Sequence, residues 1–123
     1  MELYPLTRIY TGSDGVTHFE DGSIELEDGG PIGLLSEAIA TNQTIFRSTG
    51  ADYNYDWHPT PQRQFILMMS GEIEIEVGDG ETRRFSRGDT LFLEDVDPPG
   101  HGTRNIGAVP RYSVFIQADA KVP

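Results

Sequence analysis

The chain has 123 residues, with 20 Asp and Glu against 9 Lys and Arg and a formal net charge of −11. That length fits one domain, and the acidic field opposes approach to nucleic acid and to anionic membrane surfaces. Cysteine is absent, which removes disulfides, thiolate metal sites and thiol nucleophiles. No window approaches the ~20 apolar residues of a membrane span, and the start, MELYPLTRIY, lacks a basic stretch followed by an apolar one. The expectation is a soluble, cytoplasmic protein without nucleic-acid or membrane partners. Hydrophobic residues make up 37%, enough for a core, while 14 Gly and 8 Pro favour short strands and tight turns over long helices.

In chain order, residues 8–28 hold two turn signals, Gly12-Ser13-Asp14-Gly15 and Asp21-Gly22-Ser23, around short strands such as Ile24–Glu27. Asp28-Gly29-Gly30-Pro31 is a further break, and Leu34–Ala40 reads as a helical turn or a strand. Thr44–Arg47 is a predicted strand, with β-branched and aromatic residues. Tyr55–His58 runs into Pro59-Thr60-Pro61, which ends it because proline lacks an amide donor. Gln64–Met69 is a mostly apolar strand closed by Ser70-Gly71. Glu72–Val77 alternates strictly, three carboxylates out and three β-branched residues in, the period of a half-buried strand. Gly78-Asp79-Gly80 turns the chain into Thr82–Phe85. Arg87-Gly88-Asp89 turns it into Thr90–Leu93, a loop with Pro98, Pro99 and Gly100 leads to His101, and Tyr112–Ile116 is a final apolar strand. Many short strands without a helical period predict an all-β sandwich or barrel.

Residues 58–105 resemble the two sequence motifs of the cupin superfamily. His58-Pro59-Thr60, Gln64 and Gly71 fit the first motif, with Thr60 where a second His stands. Gly88, Pro98, Pro99, Gly100, His101 and Asn105 fit the second. The chain departs from the pattern at Thr60 and between Gly88 and His101, which is about two residues longer than usual, with Glu94 in place of a Pro. The resemblance implies a single cupin domain over 1–123, a double-stranded β-helix or jelly-roll barrel, with residues 1–50 as extra strands or an arm and 51–117 carrying the core motifs. It also implies that His58 and His101 face each other inside the barrel and, with Gln64, form a ligand set for a divalent transition metal (Zn, Ni, Fe or Mn). A neutral set of that kind leaves the ion's charge to polarise a bound oxygen.

The function this implies is a small-molecule enzyme of isomerase, lyase or oxygenase type. One alternative is metal-free acid–base catalysis, with His58 or His101 as base and a tyrosine, Tyr55 foremost, as acid. Another is a non-catalytic binder of a small ligand. Arg47 and Arg63 are candidates for an anionic substrate group, since a guanidinium fork matches a carboxylate; surface ion pairing is their plainer use, and alternation aims Arg63 away from the pocket. Thr60 is a candidate hydroxyl contact, or simply a good strand former. Tyr53, Tyr55 and Trp57 alternate along the strand carrying His58 and suit packing as well as chemistry. Glu94, Asp95 and Asp97 read as a solvated acidic loop that could instead orient His101. His18 reads as a surface residue, Arg83 and Arg84 as cross-strand partners of Glu72, Glu74 and Glu76, and at least one of Met68 and Met69 as barrel filler. A homodimer is expected, because cupin-like barrels pair through an outer sheet and the N-terminal third is long enough to exchange strands.

Overall fold

A computed structural model describes residues 2–119. They form eleven strands: β1 Glu2–Thr11, β2 Thr17–Asp28, β3 Leu34–Leu35, β4 Gln43–Thr49, β5 Asn54–His58, β6 Gln64–Met68, β7 Glu72–Glu76, β8 Thr82–Ser86, β9 Thr90–Leu93, β10 His101–Ile106 and β11 Arg111–Gln117. A seven-stranded sheet in the order β3-β2-β1-β9-β6-β11-β4 faces a four-stranded sheet in the order β5-β10-β7-β8. This is the expected all-β jelly roll. Among the described residues no helix is long and apolar enough to cross a membrane.

Alternation sets the two inner faces. Ile73, Ile75 and Val77 are buried, and they join Ile9, Ile66, Met68, Leu91, Leu93 and Phe115 in the core between the sheets, while Glu72, Glu74 and Glu76 point outward. Strands β6 and β9 read as continuous apolar runs because they are covered on both sides. Phe65 and Phe92 project from the outer face of the large sheet into a second cluster with Leu6 and Ala118, and Ile24, Ile39 and Ile116 pack on it.

Two local expectations are corrected. Asp21-Gly22-Ser23 is not a turn: β2 runs straight through it, paired residue for residue with Thr7, Leu6 and Pro5. A Cβ at Gly22 would stand 3.1 Å from Leu6 Cδ1, so this glycine makes room for a core leucine across the ladder rather than bending the chain. Leu34–Ala40 is neither a helical turn nor a full strand. A short 3-10 turn at Gly30–Ile32 precedes two residues of strand, and the rest is irregular chain. Of the two methionines, Met68 is the core filler and Met69 is exposed. Arg84 lies opposite Glu74 as expected, whereas Arg83 lies opposite Ile75, covers the Phe19 ring and pairs with Asp21 and Glu81.

The four strands β1 to β4 within residues 2–49 all belong to the large sheet. Strand β1 pairs in parallel with β9, and β4 pairs with β11. Glu94, which replaces the expected proline, has a role there: its amide donates to the Ile9 carbonyl at 2.7 Å, and its carboxylate accepts from Arg8. The loop that follows is tied down by Thr17. Its buried hydroxyl donates to the Gly100 carbonyl at 2.8 Å and accepts from the Gly78 amide at 2.7 Å.

Gly100 precedes His101 and has φ +72°, and a Cβ there would lie 1.9 Å from the His58 carbonyl oxygen. We expect Gly100→Ala to lose about 1–2 kcal/mol from the left-handed backbone alone, with the clash added to it. Urea denaturation measures the loss, and an unchanged midpoint would refute this account of the glycine.

Candidate functional site

The site is a cavity of about 370 Å³ between the two sheets, toward the low end of the range for small-molecule pockets. Its chemistry begins with one cross-strand pair. His101 opens β10 and His58 closes β5, and the two are directly opposite in the register. Pro59 and Pro61 stop β5 at His58, so both imidazoles stand at the end of the small sheet. Their ring centroids are 4.8 Å apart.

Each ring has one nitrogen committed. His58 Nδ1 donates to the Asp56 carbonyl at 2.8 Å, and His101 Nδ1 donates to Asp95 Oδ2 at 2.6 Å. Both therefore keep Nδ1 protonated and leave Nε2 as the nitrogen available to the cavity. Asp95 is 0% exposed, which overturns the solvated-loop expectation for this residue. Its other oxygen accepts from the Thr60 hydroxyl at 2.7 Å, and its backbone carbonyl accepts from the Thr60 amide at 2.9 Å. Buried carboxylates need such partners. Asp97 is exposed. From sequence, three acids in one loop gave no sign of which would turn inward.

The other expected residues divide. Tyr55 lies along His58 with ring centroids 3.7 Å apart and lines the cavity. Gln64, on β6 of the opposite sheet, is buried and lines it too, and its amide makes no hydrogen bond to another described residue. Arg47 on β4 reaches the cavity and donates to the Tyr53 hydroxyl at 3.3 Å. Thr60 borders the cavity, but its hydroxyl is given to Asp95, so the expected ligand contact is already used within the protein. Arg63 lies outside: alternation turns it away from Gln64, and it donates to the Asp119 carbonyl and faces Glu94. His18 is also remote, held between Asp14 and Asp79 at the tips of two turns.

Sequence reasoning missed Arg111. It opens β11, is 2% exposed and lines the cavity. Burial, and next the nearby Arg47, lower its guanidinium to about 10. The signal was available in the alternation of β11, where Arg111, Ser113 and Phe115 share one face.

His58, Gln64 and His101 present two imidazole nitrogens and an amide to the cavity. A carbonyl or carboxylate behind each imidazole is the arrangement that orients metal-bound histidines. The set lacks a third strong ligand: among the described residues no three His, Cys, Asp or Glu side chains gather in a metal-binding group, and Thr60 faces Asp95. What the cavity offers a divalent ion is therefore two imidazole nitrogens and one amide, all neutral.

The family model described as the EutQ-like cupin domain matches residues 35–103. No curated protein matches the chain. Among solved structures, the chain is similar to an uncharacterised protein with a double-stranded β-helix domain from Klebsiella pneumoniae, at 24% identity and a TM-score of 0.48, covering 65% of each chain. It is also similar to a putative ethanolamine utilization protein Q from Salmonella typhimurium, at 18% identity and a TM-score of 0.46, covering 98% of this chain and 100% of that one. A third is the DMSP lyase DddQ from Ruegeria pomeroyi, at 23% identity and a TM-score of 0.47, covering 74% of this chain and 44% of that one. The chain thus spans under two thirds of the Klebsiella protein and under half of the lyase.

Burial pushes His58 below the ordinary imidazole value of 6.5, against the Asp56 carbonyl, which favours the cation; the neighbouring His101 adds to the depression. The unfolded chain then takes up this proton more readily, so the stability tied to neutral His58 is complete at neutral pH and falls as pH drops below 6.5. His18 behaves oppositely. Asp79 and then Asp14 raise it against a desolvation penalty, so its contribution is present below 6.5 and lost as pH rises through its native value. We expect NMR titration of the ring C–H signals to place His58 below and His18 above 6.5; the reverse order would contradict the geometry.

Proposed function

The chain belongs to the EutQ-like cupin domain family, and we propose that its barrel pocket is the active site of a small-molecule enzyme in which His101 acts as a general base. The observation that carries this reading is the 2.6 Å bond from His101 Nδ1 to a fully buried carboxylate. Asp95 holds the ring's orientation and tautomer and places a counter-charge behind it, while Nε2 faces the ligand. Ile66, Ile73, Ile75 and Leu93 form the apolar part of the pocket wall.

The reaction class is isomerase- or lyase-type proton transfer. Nε2 takes a proton from a carbon next to a carbonyl, and the C–H electron pair moves into the enolate. Return of the proton to the same or a neighbouring carbon completes an isomerisation; loss of a leaving group from the next carbon completes an elimination. Neutral His58, stacked on Tyr55, faces the same space and is placed to hold the enolate oxygen or relay the proton.

A second reading, a metal-dependent enzyme, is favoured by the three donors that converge on the cavity. His58, Gln64 and His101 would hold a divalent Zn, Ni, Fe or Mn ion. Such an ion supplies Lewis-acid stabilisation of an oxyanion when bound.

Proton transfer is tested without knowing the natural substrate. A panel of small oxo acids and hydroxy ketones in D2O, followed by 1H NMR, should show exchange of α-hydrogens catalysed by the parent protein. Asp95→Asn and His101→Ala should slow it by about 10²–10⁴-fold. A parent protein that exchanges no panel member counts against the proton-transfer reading and leaves the metal-dependent enzyme or a binding module. Metal analysis after supplementation with Mn, Fe, Ni and Zn separates the two readings. Near-stoichiometric metal that is lost in His101→Ala supports the metal-dependent one, and its absence from the parent removes it.

A further inference from the structure

Strands β4 and β11 run against the polarity of the rest of the barrel. On their inner face stand Arg47, Thr49, Arg111 and Ser113; on their outer face Phe46 is 81% exposed and Tyr112 is largely exposed. Ile45 and Phe115 share that inner face, but two cations and two hydroxyls beside them, with Phe46 and Tyr112 outside, are not what burial alone selects. The four inner residues form two adjacent cross-strand pairs, Arg111 opposite Thr49 and Ser113 opposite Arg47, so the two guanidiniums are diagonal neighbours on one face.

Neither arginine has a carboxylate partner among the described residues, although the chain carries 20 acidic residues. Arg8, Arg63, Arg83, Arg84 and Arg104 all pair with one. Arg111 Nε is buried without a hydrogen bond, as are the hydroxyls of Thr49 and Ser113. Among the described residues, the groups placed against the two cations are the rings of Tyr53 and Phe115, which both guanidiniums approach to within 5.9 Å, and the Tyr53 hydroxyl, which accepts from Arg47 at 3.3 Å. A buried charge without a partner costs stability. Its retention beside the cavity, next to a second cation, points to a partner that arrives from outside.

We infer that Arg111 and Arg47 form a carboxylate-binding subsite, so that the pocket takes a small carboxylic acid whose acid group docks on the large sheet. A guanidinium fork holds a planar carboxylate through two hydrogen bonds. A monoanion is favoured over a phosphate dianion, because the −11 shell repels a second charge on approach. The assignment rests on the barrel pocket being the ligand site. It would place the acid group on the sheet opposite His58 and His101.

The probe is 2-methylpropanoate, with its neutral isostere 2-methylpropanamide and inorganic phosphate as controls, titrated into full-length protein labelled with 15N-arginine. The carboxylate should shift the Arg111 Nε–H signal and raise the melting temperature, while the amide does neither. Arg111→Gln should weaken carboxylate binding at least tenfold, Arg47→Gln less, and Arg111→Lys by an intermediate amount, since it keeps the charge and loses the fork. Arg111→Gln should also melt no lower than the parent in the absence of ligand, because it removes an unpaired buried charge; a structural arginine would lower the melting point. Equal binding of carboxylate and amide, tighter binding of phosphate, or unchanged affinity in Arg111→Gln overturns the assignment. Should that variant fail to fold, an Arg111 signal unmoved by carboxylate in the parent overturns it equally. His101→Ala should still bind the carboxylate while losing α-hydrogen exchange, so loss of exchange and loss of the subsite are read separately.

Discussion

The site depends on keeping one carboxylate out of water. Asp95 has no exposed surface, and it is tolerable there only because the Thr60 hydroxyl and the His101 imidazole take one oxygen each. Three segments are thereby locked together: the proline-bounded turn after β5, the loop after β9 and the first residue of β10. Removing the Thr60 hydroxyl would leave a buried anion half satisfied, which costs more than the hydrogen bond itself contributes. This explains why a threonine stands where the superfamily motif has a histidine. Its hydroxyl is the anchor of the carboxylate that sets His101.

Much of the framework was legible because it follows from local rules. Glu72–Val77 alternates in sequence and is buried at Ile73, Ile75 and Val77 in space. The turns at Gly12–Gly15 and Gly78–Gly80 fall where glycine and aspartate cluster. The failures share a cause, which is that a residue's neighbours across the sheet are not written beside it. Asp21-Gly22-Ser23 has the composition of a turn, yet Gly22 is there for Leu6, sixteen positions earlier. Asp95 and Asp97 differ in sequence by little and in burial completely, because only Asp95 meets Thr60. Arg111 was overlooked because Tyr112–Ile116 looks like an apolar strand: alternation puts Arg111, Ser113 and Phe115 on one face, but that this face is the inner one follows from β4 and β6 lying on either side.

The charge distribution has two layers. Outside, acidic residues dominate and most arginines are neutralised in pairs at the surface, where such pairs contribute little to stability. Inside, two arginines face the cavity without an acidic partner among the described residues. At physiological ionic strength the outer field fades within about 8 Å, whereas interactions within the cavity are screened far less. A ligand therefore meets repulsion only on approach and a positive wall once it has entered.

The residues around the cavity come from different sheets. Arg47, Gln64 and Arg111 belong to the large one, and His58 and His101 to the small one. No hydrogen-bond ladder joins these two groups directly. The span between them is set by Ile66, Ile73, Ile75 and Phe115, whose side chains fill the gap and have no acid, base or ligand of their own. Thickness of packing thus acts as a ruler: a methylene more or less in that layer would change the length of molecule that fits between guanidinium and imidazole while leaving every polar residue in place.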